Sequence, residues 1–172
     1  MVRARGRISA VKAGWLTPAL ALLLAGCTVF GIPLCGNGKL NLSRASLNPT
    51  SYTCPANAND LGYDIKGTVD ADNETTHKIT IKSMSTAAVV DHLAGNWGMA
   101  VGDESGASDI DFSPKSIGSG QQTTLKFTTV WNCSNSGNNQ QDTYADFKVQ
   151  LIMETDNGEY KVNLPEHRMV MA

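Results

Sequence analysis

The sequence is poor in charged and aromatic residues and has no broad cluster of basic side chains. Charged residues make up 17% of the 172 residues, and aromatic residues only 6%. Positive charge is concentrated near the amino end, in Arg3, Arg5, Arg7 and Lys12. Nucleic-acid binding requires a basic footprint on the folded domain. We therefore expect no nucleic-acid partner.

Signatures of catalysis and of cofactor binding are also missing. None of the three histidines (His77, His92 and His167) adjoins a serine elbow or a cysteine nucleophile motif. The segment Gly118-Ser119-Gly120 lacks the spacing of a nucleophile elbow. The acidic run 70–74 lacks the glycine and the distal glutamate of an EF-hand calcium loop. The sequence therefore predicts a protein that is not an enzyme and has no cofactor.

The amino-terminal segment has the layout of an export signal. The basic residues are followed by an apolar run over residues 16–24 and by the tetrapeptide Leu24-Ala25-Gly26-Cys27. A positive region, a short apolar region and small residues before a cleavage site are typical of a secretory signal peptide. No pair of adjacent arginines is present, which disfavours twin-arginine export.

Leu24-Ala25-Gly26-Cys27 resembles the lipobox of bacterial lipoproteins. In that family a lipid is attached to the cysteine thiol, cleavage occurs just before the cysteine, and the new amino end is acylated. The resemblance implies that residues 1–26 are a signal peptide and that Cys27 carries a lipid anchor on the extracytoplasmic face of the cell membrane. Because one acyl chain holds a protein only marginally, several chains on one cysteine are needed for lasting attachment.

Two other interpretations of this segment remain open, an uncleaved membrane helix and a plain secretory signal. The apolar stretch 15–35 is long enough to span a bilayer, but Pro18 and Pro33 interrupt it. After removal of residues 1–26, 10 of the 14 basic residues remain against 16 acidic ones. The mature chain is therefore acidic and long enough for one domain with a core.

Cysteine usage fits an exported chain. With Cys27 lipidated, Cys35, Cys54 and Cys133 remain, and three thiols allow three single pairings that the sequence alone cannot choose between. We favour a Cys54–Cys133 disulfide, because both residues lie at the ends of predicted strands whereas Cys35 lies in a glycine-rich tether. The alternative is a Cys35–Cys54 disulfide within the amino-terminal region.

Alternation with a period of two residues dominates the chain after residue 47. The clearest strand is 123–133, with Leu125, Phe127 and Trp131 on one face and Lys126 and Asn132 on the other. Apolar residues on one face only indicate a half-buried strand. We predict a tether over residues 27–46 and one β domain over residues 47–172, with seven to eight strands and no helix.

Strands at this spacing, joined by turns, indicate a sandwich or a barrel. Phe112-Ser113-Pro114, the glycines at 118 and 120, and Leu125-Lys126-Phe127 resemble the middle of bacterial immunoglobulin-like or fibronectin-type domains. The resemblance implies an immunoglobulin-like antiparallel β-sandwich. Cys54 precedes the first long strand, so a disulfide from it would not join the two strands that are usually bridged in that fold.

The carboxyl end allows two interpretations. His167, Met169 and Met171 alternate on one face, and soft sulfur with imidazole suits Cu(I). The string is similar to part of a periplasmic copper chaperone motif, without that motif's upstream ligands. If register runs unbroken from Tyr160, these residues face outward. A bulge at Pro165 would instead turn them into the core.

The sequence therefore predicts a membrane-anchored, extracytoplasmic lipoprotein that acts as a non-enzymatic binding or envelope-structural module. Its partner, a protein or a glycan, is expected on loops 95–108 and 134–141, because loops on a rigid sandwich carry recognition. The alternative function is copper binding through His167, Met169 and Met171. Fold class does not decide between them, because sandwiches host many functions.

Overall fold

The computed structural model describes residues 38–108, 110–137 and 142–172. Cys27 and Cys35 lie outside this part, and within it no helix is long and apolar enough to cross a bilayer. The described chain is all-β. Its strands are β1 (Leu40–Asn48), β2 (Ser51–Cys54), β3 (Ala58–Asn73), β4 (Ile79–Ala94), β5 (Glu104–Ala107), β6 (Asp111–Ser113), β7 (Ser116–Ile117), β8 (Gln122–Asn135), β9 (Tyr144–Thr155), β10 (Gly158–Asn163) and β11 (His167–Met171).

Two sheets pack face to face and form the predicted all-β sandwich. The four-stranded sheet has the order β1-β3-β8-β6. The seven-stranded sheet has the order β2-β11-β9-β4-β5, and in addition β10 pairs with β9 and β7 pairs with β4. Neighbouring strands are antiparallel, with the exception of β11 and β2, which pair in parallel.

The core lies between the sheets and is built from the alternating faces of the long strands. On β8, Leu125 and Phe127 are buried and Lys126 is exposed, as the alternation predicts. On β9, every second residue from Ala145 to Met153 is buried. Trp131 of β8 meets Phe147 of β9 edge to face, with ring centroids 5.2 Å apart. β8 and β9, the two strands with clear alternation in the sequence, therefore form the two facing walls of the core.

The described strands number eleven, against the seven to eight that the sequence predicts, and β4 is a single strand of 16 residues. Bulges interrupt β4 between Ile81 and Ser83 and between Val90 and His92. Each bulge inserts one residue and reverses the side that faces the core. Ile81 and Met84, on either side of the first bulge, are both buried. The strand is therefore continuous, but buried and exposed residues do not alternate along its whole length.

Three short strands, β5, β6 and β7, come from one segment that changes sheets. β5 pairs with β4, β6 pairs with β8, and β7 returns to β4. The alternation of Ile110 and Phe112 with acidic residues, ended by Pro114, predicts a strand at β6. β5 and β7 are too short to show an alternation that could be recognised in the sequence.

The boundary between tether and domain at residue 47 requires correction, because β1 lies almost entirely within the predicted tether 27–46. β1 pairs with β3 from Leu40 to Asn48, and Leu40 and Leu47 are buried. A register shift between Ser43 and Ser46, with Arg44 at a φ of 46°, breaks the alternation of the strand. The domain therefore begins near residue 40.

The predicted disulfide between Cys54 and Cys133 is confirmed. It joins β2 of the seven-stranded sheet to β8 of the four-stranded sheet, with the two Cα atoms 6.0 Å apart. The bridged residues are 79 positions apart in the sequence. Closing a loop of this length stabilises the fold by up to about 4.5 kcal/mol in the chain-entropy model.

The long strands give the sandwich two distinct ends. At the amino-terminal end, Leu40 lies beside Asn73, and the turns at residues 74–78, 118–121 and 156–157 surround it. At the opposite end, called the distal end, residues 55–57, 95–103, 136–137 and 142–143 lie close to Ala172. At about 3.3 Å per residue, the 16 residues of β3 separate the two ends by roughly 50 Å.

Candidate functional site

A one-residue bulge at the carboxyl end decides which way the His–Met string faces. Asn163 of β10 pairs with Gln150, but His167 of β11 pairs with Phe147. From Asn163 to His167 the chain advances by four residues, whereas the partner residues on β9 advance by only three. The segment between them, which includes Pro165, therefore contains one extra residue. Leu164 and His167 are consequently both buried. Of the two predicted alternatives, the bulge is the one observed, and it places His167 and Met169 in the core.

His167 is fully buried and bonded through both ring nitrogens. Nδ1 lies 3.1 Å from the carbonyl oxygen of Pro49, which can only accept, so Nδ1 carries the proton. Nε2 therefore accepts a hydrogen bond from the Tyr63 hydroxyl, at 2.9 Å. Burial lowers the pKa of His167 below its ordinary value and raises the pKa of Tyr63. His167 is accordingly neutral at pH 7, and copper binding through it would require breaking one of these bonds.

Aromatic rings surround His167 and connect both sheets. Tyr52 of β2 stacks on Tyr63 of β3, with centroids 3.7 Å apart, and Trp131 meets the His167 ring at 5.0 Å. Met169 is buried and Met171 is half-buried. Among the described residues, no group of three or more histidine, cysteine or carboxylate side chains is placed to hold a metal ion.

In the acidic run at residues 70–74, Asp70 and Asp72 lie on the outer face of the four-stranded sheet, whereas Asn73 is fully buried. Asp70 accepts hydrogen bonds from Thr124 and Arg44, and these bonds, with that to Thr124 the stronger cause, lower its pKa. Asp72 accepts a bond from the Gln122 amide at 2.8 Å. These carboxylates therefore serve cross-strand pairing.

A cleft of about 330 Å³ opens at the distal end, between β8 and loop 95–103. Its floor consists of core residues, including Phe147 and Met169, and Trp131 of β8 forms one wall. Trp97 and Met99 form the opposite wall. We call this space the distal cleft. Aromatic rings and thioethers give it an adaptable apolar lining.

A more polar cleft of about 500 Å³ adjoins the distal cleft and shares Trp97, Gly98, Ser134 and Met171 with it. The exposed residues Asn59 and Asn96 line this second space, and Asn135, whose amide donates to the carbonyls of Cys54 and Ala172, is buried beside it. The described parts of the two loops predicted to bind a ligand thus lie together: Trp97 belongs to one and Ser134 to the other.

Trp97 stands where the two clefts meet and carries an unused hydrogen-bond donor. Its ring is half-buried, and its Nε1 is the single buried side-chain nitrogen or oxygen without a partner in the described part of the chain. Leaving a buried donor unpaired costs about 1–3 kcal/mol. The indole nitrogen is itself buried, so an acceptor in the cleft would reach its N–H only after the Trp97 ring turns.

The distal end is negatively charged. Asp60, Asp103 and Asp142 form no ion pair among the described residues. The Asp60 carboxylate accepts a hydrogen bond from Asn132, which lines the distal cleft, and Asp103 lies in the loop that walls it. The nearby basic side chains are already neutralised, Lys148 by Asp91 at 2.6 Å and Arg168 by Asp146 at 2.7 Å.

The sequence signals only part of this site. Trp97 and Met99 stand out as apolar residues in a glycine-rich loop, and the sequence indicates them as packing residues. Their position opposite Trp131 depends on how the segment after β4 crosses between the sheets. No local pattern encodes that crossing.

Comparison with known proteins yields only distant structural similarities. No protein-family model and no curated protein matches the sequence. One similar solved structure is the alkylpurine DNA glycosylase AlkC of Pseudomonas fluorescens, at 11% identity and a TM-score of 0.38, where the match covers 73% of this chain but 30% of that chain.

Two further similar structures are the putative ApaA protein of Bordetella pertussis and the sporulation control protein Spo0M of Bacillus subtilis. The first is 14% identical with a TM-score of 0.34, covering 78% of this chain and 94% of that chain. The second is 11% identical with a TM-score of 0.34, covering 80% and 50%. Similarities at this level assign no function to the chain.

Proposed function

We propose that this protein is an extracytoplasmic lipoprotein, held to the cell membrane by a lipid on Cys27, and that its sandwich is a non-enzymatic binding module. The supporting observation is the arrangement of the two ends of the domain. The chain joins the sandwich at its amino-terminal end, and the clefts open at the distal end, roughly 50 Å away along β3.

With an anchor on Cys27, this arrangement would direct the clefts away from the bilayer. The residues from Cys27 to the start of the described domain span at most about 40 Å when fully extended. A lipid on Cys27 would therefore keep the amino-terminal end closer to the membrane. Partners in the surrounding compartment would approach the distal end.

The disulfide supports the extracytoplasmic location. Stable disulfides occur mainly in secreted and periplasmic proteins and are rare in the cytosol. The Cys54–Cys133 bridge crosses from one sheet to the other beside the distal cleft, so oxidation would fix the region that we propose to be the binding surface.

The chemistry of the clefts supports recognition rather than catalysis. Their walls are indole, phenyl and thioether groups, and their polar groups include the amides of Asn59 and Asn96 and the hydroxyl of Ser134. The two buried titratable residues, His167 and Tyr63, hydrogen-bond to each other, and His167 also bonds to the Pro49 carbonyl. Copper binding has less support, since neither nitrogen of His167 is free.

Photo-crosslinking in intact producing cells tests this proposal. A benzoylphenylalanine residue placed at Val101, in the distal loop and 62% exposed, should crosslink a partner. The same residue placed at Lys78, exposed at the amino-terminal end, is the matched control and should not. Crosslinking at Lys78 alone, or at neither position, would contradict a distal binding surface.

A further inference from the structure

One edge of β8 is only partly covered. Along its other edge β8 pairs with β3 over almost its whole length. On the open side, β6 pairs with Lys126 to Thr128 and no further. In the described part of the chain, no other strand pairs with residues 129–134, and these residues form no backbone hydrogen bonds outside β3.

The open edge carries strand-pairing groups. In an antiparallel pair, alternate residues direct both N–H and C=O toward the same neighbour. About half of residues 129–134 therefore direct both groups away from β3. Such an edge is a template for an incoming extended segment, and addition of a strand to an exposed edge is a recurrent mode of peptide binding.

The distal cleft lies directly beside this edge. Trp131 and Cys133 belong both to the edge and to the cleft lining, and β5, which pairs with β4, lies near β8 without pairing with it. Successive side chains of a strand point to opposite faces. A segment that paired with residues 129–134 would thus direct every second side chain between the sheets, onto Phe147 and Met169.

The lining and the charge define the occupant. The floor and walls are apolar, which requires a large apolar side chain at the inward position. The carboxylates of Asp60, Asp103 and Asp142 attract positive charge, and the basic groups Lys148 and Arg168 are already paired. Outward positions of the incoming strand would therefore carry lysine or arginine.

We propose that the open edge of β8 binds an extended basic peptide segment of a partner protein, which adds a strand to the four-stranded sheet and inserts one large apolar side chain into the distal cleft. On binding, the Trp97 ring turns and its indole N–H donates a hydrogen bond to a carbonyl of that segment. This inference rests on the proposed binding function and specifies its partner.

A model peptide tests strand addition directly. The probe is fluorescein-labelled KVKFKVK, with lysines on one face and valine and phenylalanine on the other, titrated with the full-length protein in detergent micelles. Fluorescence anisotropy should show saturable binding, and EVEFEVE should bind at least about tenfold more weakly because of the acidic rim. Two further peptides carry N-methyl groups on alternate backbone nitrogens, one at the odd-numbered and the other at the even-numbered positions. One of these N-methylated frames should lose binding, and the other should bind nearly as well as the unmodified peptide.

Three variants locate the site. Gly98 has open space around the position of a Cβ atom, so Gly98→Trp should fill the cleft and weaken binding at least about tenfold. Lys78→Trp, an equally large residue at an exposed position of the amino-terminal end, is the matched control and should bind normally. Trp97→Phe keeps a ring but loses the donor, and should weaken binding about fivefold. Melting curves check that all three fold.

The outcomes separate this inference from the proposed function. Equal binding of both N-methylated frames, or normal binding by Gly98→Trp, would overturn strand addition. Absence of peptide binding together with crosslinking at Val101 would also overturn it while leaving the binding function intact. Peptide binding without any crosslink at Val101 would instead support the site and count against the proposed function.

Discussion

Trp131 is the residue that best distinguishes the core face of β8 from its outer face. It is 9% exposed and packs on Phe147 and His167, whereas Thr128 lies on the opposite face of the same strand. A one-residue register slip would exchange these faces. The strand is therefore strongly fixed by its side chains.

We expect Trp131→Ala to destabilise the domain by about 3–5 kcal/mol, the usual cost of deleting a large buried aromatic side chain. Thr128→Ala should cost less than about 1 kcal/mol, because no core contact is lost. Thermal melting of the two variants beside the wild type measures the difference. Small and equal losses would mean that β8 does not form the wall of the core.

His167 should make stability depend on pH. Its folded pKa lies below the unfolded value of about 6.5, so the unfolded chain binds the additional proton. The contribution is fully present above about pH 6.5 and is lost as pH falls toward the folded pKa, with a slope of up to about 1.4 kcal/mol per pH unit.

Urea denaturation between pH 7.5 and pH 5 measures this slope, above the range in which aspartates with lowered pKa, such as Asp70 and Asp146, become protonated. His167→Gln should be less stable than the wild type at pH 7.5, and its slope should be smaller. His77→Gln, at an exposed position that leaves His167 in place, is the matched control. A wild-type slope that survives in His167→Gln would contradict the assignment to this residue.

At the scale of elements, bulges determine which side chains reach the core. The register shifts in β1 and β4 and the extra residue at Pro165 each change the inward face. At Pro165 the consequence is large, because β11 presents His167 inward and Arg168 outward only with that residue present.

Deletion of Pro165 should therefore destabilise the domain by several kcal/mol. Without the extra residue, unbroken register would turn the charged Arg168 toward the core and His167 toward solvent, and an unpaired buried charge is costly. Pro165→Ala keeps the chain length at an exposed position and should melt near the wild type. Similar melting temperatures for the deletion and the substitution would show that the bulge does not set the face of β11.

At the scale of the whole molecule, the proposed lipid anchor on Cys27 would set the orientation of the distal end. Cys27 lies outside the described residues, and its lipidation is a prediction from the resemblance of Leu24-Ala25-Gly26-Cys27 to a lipobox. We expect Cys27→Ala to move the protein from processed, membrane-bound material to unprocessed precursor or soluble forms. Cell fractionation and intact mass measure this, with Cys35→Ala as the control.

Retention of residues 1–26 in the wild-type protein would contradict the lipobox interpretation. An unchanged mature mass in Cys27→Ala, apart from the substitution itself, would contradict it as well. Either result would remove the anchor from the proposed function without affecting the distal clefts, which depend only on the sandwich.

The sequence by itself determined which strands form the walls of the core. Alternation in β8 and β9 is uninterrupted, and a face that carries Leu125, Phe127 and Trp131 has only one favourable side in water. The cysteine positions also favoured the correct disulfide, because Cys54 and Cys133 lie at strand ends. Both inferences use local information, the period of the side chains and the position of a residue along its strand.

Only the tertiary structure decided the rest. The burial of His167, the continuity of β4 and the open edge of β8 depend on which strand pairs with which, and on single inserted residues that reverse a face. Pairing joins segments far apart in the chain, and a bulge is recognised only against the partner strand. For this physical reason the alternation of the sequence predicts the core walls, while the distal clefts arise from the way the sheets close around them.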